Sequence, residues 1–492
     1  MSNQISDLDA NLELAKEEKK VPHNQPSAIL AKKLKDLAET STSHGLPNIA
    51  RTNRLSIKLL WTICLLASVG ACIYMVYKSV SDYYSYGVVT QIQVINENSP
   101  LFPTITICNI NPFSSIYGQN LIEKVAMEQL GVNLSLVPTN SSNYTDYVNK
   151  ATSLALIQLK NPMFNLSYKA SLFDYSKYMK ISNCYFNETG CGMNEFQNIY
   201  DANMGNCIRF NSGFDFSGST VSLSSSLNSG RTSGLRLQIF LFDSENKYFY
   251  ASSEGLRVFV HNSSFNFRQS EGVDVALSMS TSIAIQRTFV SKQPDPYSDC
   301  KELSAFNSVL YKYFKDSGST YRQIDCFDLC LQKKIIQSCS CYDLRYPQLF
   351  NYEISCSSLE KYDCSTNVTI LFRQNQIDNE CLSNCPLECD SVQYDLSLSS
   401  SSYPSRQAYD LFSSQVVGLS YEQVKSRTLE LNIYYAELSY TKISESPQTS
   451  IIDLFSNIGG TMGLYVGVSF LSFVEIVEAF VEIVFISFNI NL

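Results

Sequence analysis

The sequence predicts a membrane α+β protein, with two transmembrane helices flanking a large, disulfide-rich extracellular domain. Three observations predict this class. Two long apolar runs, Leu59 to Tyr77 and Ile451 to Phe488, stand towards the two ends of the 492-residue chain. Fourteen of the sixteen cysteines and all seven Asn-x-Ser/Thr sites fall between those runs. The same interval mixes segments of period 2 with segments of helical spacing.

Within an N-terminal segment placed at 1–54, residues 1–50 carry mixed charge and little apolar content, which predicts poor order. Ile29 to Leu37 reads as a short helix, with Lys32, Lys33 and Lys35 either near an inner leaflet or solvated. Ser43 to Ile49 contains Gly45 and Pro47 and reads as a turn or re-entrant bend. The first span, placed at 55–78, holds an apolar stretch long enough to cross a bilayer. It starts too far from Met1 for a cleavable signal peptide. Arg51, Arg54 and Lys58 precede it and only Lys78 follows closely, so the positive-inside rule puts the N-terminus in the cytoplasm. Two spans then return a short C-terminal stretch, 489–492, to the same side, and residues 79–450 lie outside.

The sequons at Asn133, Asn140, Asn143, Asn165, Asn187, Asn262 and Asn367 agree with that sidedness. So does a dense, even set of cysteines, which suits an oxidising compartment. A net charge of -9 argues against a nucleic-acid partner and is compatible with an outer surface that attracts cations.

Within the interval, Val88 to Val94 reads as a strand and Leu121 to Leu130 as a helix. Residues 113–200 otherwise mix helices with sequon-rich loops, and 212–234 is Ser/Gly-rich and irregular. Leu235 to Phe242, Leu256 to Val260 and Leu277 to Phe289 read as strands. Tyr321 to Ser338 has helical spacing inside a block, Cys300 to Cys389, that holds ten cysteines. Leu429, Leu431, Ile433 and Tyr435 alternate with polar neighbours as a half-buried strand leading to the second span.

Enzyme classes fare badly. Of three histidines, His23, His44 and His261, only the last is extracellular, and one His in a strand context is more often structural than catalytic. Cysteines outside the cell favour disulfides over zinc, and no phosphate-cradling glycine loop occurs. No metal site and no cofactor is expected.

The second apolar run carries Glu475, Glu478 and Glu482 at spacings that share one helix face. Each acidic group costs roughly 2.5–3.5 kcal/mol at mid-membrane depth, so the stripe is expected to face water or a partner helix. A wall of a cation pathway is the economical reading; snorkelling at the cytoplasmic end is the alternative. Gly459, Gly463 and Gly467 recur every fourth residue, the pattern of close helix packing in membranes.

Leu101-Phe102-Pro103-Thr104-Ile105-Thr106-Ile107-Cys108-Asn109 resembles the segment after the first span in the degenerin / epithelial sodium channel / acid-sensing ion channel family. The resemblance continues through Gly205-Asn206-Cys207 with Phe210-Asn211, through Pro296-Tyr297 before Cys300, and through Ser456 to Glu478. It covers nearly everything from residue 43 to about 480.

The resemblance implies a homotrimer or heterotrimer of two-span subunits, each with a hand-like ectodomain of palm, thumb, finger and β-ball. The finger would be about 113–200, the Cys-rich thumb 298–395, and the second span with its pore 451–488. It implies the pairs Cys108–Cys207 and Cys184–Cys191. A thumb ladder would follow: Cys300–Cys389, Cys326–Cys385, Cys330–Cys381, Cys339–Cys364 and Cys341–Cys356. Gly467, Val468 and Ser469 fall on the family's selectivity belt, with Glu475 and Glu478 on acidic positions below it. In a trimer each residue becomes a ring of three. Val468 is bulkier than the usual belt residue, which bears on sodium over potassium selectivity. Asp453, Ser456, Asn457 and Gly460 fall at the outer pore and gate. Asn457 replaces an acidic residue of acid-sensing relatives, and Ser456 occupies the degenerin position. His44-Gly45 matches a cytoplasmic gating motif. Tyr86 and Tyr297 match an aromatic contact that would couple thumb to pore.

The implied function is an amiloride-sensitive, sodium-permeable channel of the plasma membrane. Its partners would be sodium ions, the lipid bilayer and two further subunits. An extracellular agonist, a neuropeptide or another small organic molecule, is the expected stimulus. Acid, constitutive and mechanical gating are the alternatives, since Val88 stands where acid-sensing members carry His. Two other classes are weighed: an ATP-gated trimeric channel, which needs a cluster of extracellular lysines, and a non-conducting receptor or adhesion subunit. No long tail or Pro-Pro-x-Tyr segment follows the second run.

Overall fold

The computed structural model describes residues 35–113, 116–160, 179–241, 253–263, 267–302, 308–349, 354–374, 379–412 and 418–487. His23, Lys32, Lys33, Asn165 and the stretch 489–492 lie outside them. The chain divides into two compact units. One joins the N-terminal part up to Val89 with the C-terminal part from Pro447, and the other is Thr90–Ser446.

The first unit opens with a helical turn over 35–40 and helix α1 (Leu46–Arg51). Pro47 suits the first turn of α1, where its missing N–H costs nothing. Gly45 precedes it at φ 88°, a left-handed conformation that favours glycine. Helix α2 (Leu55–Tyr84) follows and has 30 residues, longer at both ends than the apolar run suggests. Among the described residues it alone is long and apolar enough to cross a membrane by length and composition.

Strand β1 (Val88–Asn96) leads into the second unit. Strand β2 (Thr104–Asn109) is the Phe-Pro segment, buried almost throughout. Helix α3 (Ile116–Val125) runs into a π-turn over Ala126–Leu130, and helix α4 (Ser142–Lys160) packs on both. Their apolar faces meet at Leu121, Val125, Val148 and Leu154, in a core shared with Tyr342, Leu344 and Tyr362.

The strands that follow are β3 (Met179–Phe186), β4 (Thr189–Gly190), β5 (Phe196–Asp201), β6 (Gly205–Phe210), β7 (Leu235–Leu241), β8 (Gly255–His261), β9 (Val273–Ala276) and β10 (Met279–Ser291). The stretch 179–201 is thus strand, where the sequence suggested helices and loops. Residues 277–278 separate β9 from β10 rather than opening one strand.

Next come β11 (Cys300–Lys301), α5 (Val309–Ser317), α6 (Gln323–Cys339), α7 (Leu359–Gln374), α8 (Asn379–Asn384) and β12 (Leu387–Glu388). Strand β13 (Asp390–Ser402), the short helices α9 (Arg406–Phe412) and α10 (Tyr421–Lys425), and strand β14 (Thr428–Pro447) complete the unit.

The seven-stranded sheet runs β13-β10-β14-β7-β3-β4, with β1 on β14; the five-stranded sheet runs β5-β6-β2-β8-β9. β10 and β14 are parallel, and their register slips between Ile285 and Arg287, opposite Tyr435 and Tyr440. Ile105, Ile107 and Val258 of the smaller sheet share one core with Leu237, Ile283, Leu431 and Ile433 of the larger. β14 is a central strand, so Asn432 is buried along with its apolar neighbours. Glu430 and Tyr434 stay half-buried, so the alternation the sequence suggests departs only at Asn432, where β14 lies between β10 and β7.

Seven disulfides close this unit. Cys108–Cys207 joins β2 to β6 and Cys184–Cys191 ties the β3–β4 hairpin. The helical block is laddered by Cys300–Cys389, Cys326–Cys385, Cys330–Cys381, Cys339–Cys364 and Cys341–Cys356. The nesting staples α6, α7 and α8, whose own apolar clusters are small.

The chain ends on α11 (Ile451–Val466) and α12 (Phe470–Ser487), back in the first unit, where α11 packs along α2. The second apolar run is two helices of 16 and 18 residues, parted at Gly467-Val468-Ser469.

Candidate pore site

The break between α11 and α12 follows from local chemistry. Ser450 caps the start of α11, with its hydroxyl accepting from the Asp453 N–H and donating to the Asp453 carboxylate at 2.7 Å. Asp453 is thereby engaged in a capping box at the helix start. At the other end Gly467 adopts φ 72°. Its N–H donates to the Gly463 carbonyl at 3.1 Å, and the Val468 N–H reaches the Met462 carbonyl at 3.3 Å. Residues 467–469 are not helical. α12 restarts after Ser469, whose N–H donates to the buried Ser472 hydroxyl at 3.0 Å.

Non-helical backbone in an apolar segment needs partners for the groups it frees. Here residues 42–45 supply them. The His44 N–H donates to the Val466 carbonyl at 2.9 Å, and the Ser43 hydroxyl donates to the same oxygen at 3.3 Å. The His44 ring lies so close to Gly467 that an added Cβ would sit 2.6 Å from it. One turn further, Thr42 Oγ1 is 2.8 Å from Ser472 Oγ and donates to Glu475 Oε2 at 3.1 Å. The Thr42 N–H approaches the same carboxylate oxygen at 3.4 Å.

The arrangement brings His44, Gly467 and Glu475 together along one side of the break. Within the single chain, Glu475 and Glu482 are half-buried and Glu478 is exposed. Ser456, Asn457, Gly459 and Gly460 lie on exposed turns of α11, and an added Cβ at either glycine meets nothing within 4 Å. Large apolar side chains such as Phe455, Leu464, Phe470 and Phe480 are also exposed. A surface of that composition suits lipid or neighbouring helices.

Tyr86 lies two residues beyond the end of α2 at φ 51°, its ring against Tyr83 and Tyr84. Tyr297 lies in the turn between β10 and β11, with its N–H donating to the Pro294 carbonyl. The two tyrosines belong to different units.

His261 is buried on β8, with Nε2 2.8 Å from Thr106 Oγ1 and Nδ1 2.8 Å from the Asn262 carbonyl. Burial first, and then Arg209 and Arg322, lower its pKa to about 4. It is a core residue.

Among the sequons, Asn133, Asn140, Asn143 and Asn367 are exposed, and Asn262 is half-buried. Asn187 differs. Its Nδ2 donates to the Ser225 carbonyl at 2.9 Å and its Oδ1 accepts from the Leu227 N–H, so the amide is engaged within the fold.

Thr42 and Ser472 were not singled out on the sequence. A signal was present: Thr42 lies two residues before His44, and Ser472 follows Ser469 by three residues in an apolar run.

The chain matches the family model described as amiloride-sensitive sodium channel over residues 37–479. It is 24% identical over 476 residues to the bile acid-sensitive ion channel of Mus musculus, covering 92% of this chain and 89% of that protein. Identity to the epithelial sodium channel subunit beta of Xenopus laevis is 27% over 416 residues, covering 80% of this chain and 63% of that one. The chain thus spans less than two thirds of that subunit's length. A solved proton-activated chloride channel overlaps 88% of this chain and 98% of its own, at 6% identity and a TM-score of 0.33, which carries no argument.

Proposed function

Because the chain belongs to the amiloride-sensitive sodium channel family, we propose that it is one subunit of a trimeric, sodium-permeable channel of the plasma membrane, opened by an extracellular ligand. In this reading 55–78 and 451–488 span the bilayer, 79–450 lies outside, and both termini are cytoplasmic. Within 79–450, about 113–200 forms the finger and 298–395 the thumb.

One observation carries the reading: the helix break at Gly467-Val468-Ser469, with residues 42–45 folded onto it and Glu475 at its lower edge. A break of this kind exposes carbonyls, and a carboxylate one turn on attracts cations. Three copies around an axis would turn Gly467, Val468, Ser469, Glu475 and Glu478 into successive rings. Ser456, Asn457 and Gly460 would then form the outer gate, facing one another where the single chain leaves open space. Asp453 would sit at the outer mouth, and Tyr86 and Tyr297 would couple ectodomain to pore.

The one extracellular histidine speaks for a ligand over acid, since it is buried with its pKa lowered to about 4; Asp328, raised by burial to about 6, is the group through which acid would have to act. A short peptide or a small organic molecule is the expected class. The likeness to a bile acid-sensitive channel over 92% of the chain favours the small molecule.

The test is expression in oocytes under voltage clamp, with peptides, organic anions and acid applied outside, amiloride added, and sodium replaced by potassium. A ligand-evoked, amiloride-blocked inward sodium current is expected. Surface protein that stays silent even with a bulky side chain at Ser456 would overturn the channel reading and favour a non-conducting receptor subunit.

A further inference from the structure

A cavity of about 780 Å³ opens in the second unit, between the ends of α4 and α7, the N-terminal half of α6 and the smaller sheet. Its size suits a drug-sized molecule. Six cationic side chains but only three carboxylates line it among the described residues.

Most of these charges are already matched. Arg257 holds Asp274, Arg268 holds Asp328 and Arg345 holds Asp343, each through paired hydrogen bonds. Asp325 is bound by Arg322 through two nitrogens at 2.8 and 2.9 Å. Asp201 accepts the N–H groups of Asn203 and Met204.

Among the described residues, three cations have no carboxylate in hydrogen-bond contact: Lys160 at the end of α4, Arg373 at the end of α7, whose charge still acts on Asp328, and Arg209 on β6. Arg209 is the informative one. Its guanidinium lies over the Phe267 ring at 5.3 Å, and its Nε is buried without a hydrogen-bond partner. Burial works against its charge, and the nearby Asp201 only partly offsets this. A partly desolvated guanidinium gains from an anion that accepts from two of its N–H groups. The half-buried rings of Phe267 and Tyr313 line the wall beside it.

We propose that this cavity binds an organic anion, a carboxylate or sulfonate carried on a flat apolar body. Arg209, Lys160 and Arg373 face the charged end, and Phe267 and Tyr313 face the body. The inference rests on the reading that an extracellular ligand acts on this chain, and it gives that ligand a site and a sign of charge.

The test uses the full chain in phosphatidylcholine nanodiscs, with empty nanodiscs as the blank. Naphthalene-2-sulfonate is titrated by calorimetry beside its neutral isostere, naphthalene-2-sulfonamide. Saturable binding at one site per chain is expected, with the sulfonate at least about tenfold tighter than the sulfonamide, since a charge-assisted pair is worth about that factor. Arg209→Gln is expected to weaken the sulfonate about tenfold and leave the sulfonamide unchanged. Should Arg209→Gln not fold, the double variant Lys160→Gln/Arg373→Gln, at one half-buried and one exposed position, is expected to give a smaller loss of the same kind. Equal binding of the two probes, or sulfonate affinity unmoved in the folded variants, overturns the site. Binding is read without current, so the two readings fail separately. A chain that binds the sulfonate and never conducts keeps the site and loses the channel. A chain that conducts yet binds both probes alike keeps the channel and loses the site.

Discussion

The Thr42 hydroxyl donates to the Glu475 carboxylate at 3.1 Å, joining residues 433 positions apart. The contact ties the segment before the first long helix to the lower edge of the break in the last apolar run. It fixes the rotamer of a carboxylate that otherwise sits among apolar neighbours. Thr42→Val keeps the shape and removes the O–H. Loss of a hydrogen bond to a charged group is worth about 1.5–3 kcal/mol, so the carboxylate is expected to move. Unitary conductance should change in Thr42→Val, with Thr42→Ser close to wild type. In the double variant with Glu475→Gln, the Thr42 substitution should add little. Additive effects on single-channel current would show that the two side chains act independently.

Glu475→Gln alone removes the charge nearest the break. We expect a shifted reversal potential in mixed sodium and potassium, or a reduced unitary current. If both measures match wild type, Glu475 does not belong to the ion path.

Gly467 cannot gain a Cβ without meeting the His44 ring, and its φ of 72° adds strain of about 1–2 kcal/mol for any L side chain. Gly467→Ala should therefore abolish or sharply reduce current. His44→Ala in the same chain removes the clash but not the backbone strain, so recovery should be partial. Complete recovery, or none, would show that only one of the two terms matters.

Asp343 is fully buried, which raises its pKa, yet bonds from Arg345 and Ser365 hold it below the usual carboxylate range. Arg345→Met leaves that charge unpaired at a cost of about 3–5 kcal/mol. We expect retention inside the cell and a lower melting temperature of the purified protein. The pair Asp343→Asn/Arg345→Met should recover much of the loss. Full surface delivery of Arg345→Met would contradict the assignment.

His261 gives the second unit a defined acid sensitivity. Its pKa falls from the ordinary 6.5 to about 4 on folding, so the folded protein binds fewer protons between those values. Stability from this group is complete above pH 6.5 and is lost as pH falls towards 4, by about 3 kcal/mol. Asp328 acts oppositely: burial raises it to about 6, so its contribution declines as pH rises from 3.8 to 6. Comparing wild type with His261→Gln cancels the Asp328 term. Denaturant midpoints of the variant should depend less steeply on pH between 6.5 and 4; parallel curves would rule the effect out.

Much of this protein was legible in its sequence because local chemistry is sufficient there. Apolar length marks α2, period 2 marks β7 and β8, and helical spacing marks α6 between its cysteines. Glycine alone does not mark where α11 stops, since Gly459, Gly460 and Gly463 lie inside it and only Gly467 takes a left-handed φ. Other features depend on which segments meet. Asn432 is buried because β14 became a central strand, and Asn187 is engaged because its hairpin abuts the loop at Ser225. Arg209 carries no local sign that it would line a cavity over Phe267. Alternation and spacing report one segment's own faces. Thr42 next to Glu475, and six cationic side chains around one cavity, arise only when distant stretches of chain are brought together, since hydrogen bonding and charge pairing act through space over a few ångströms.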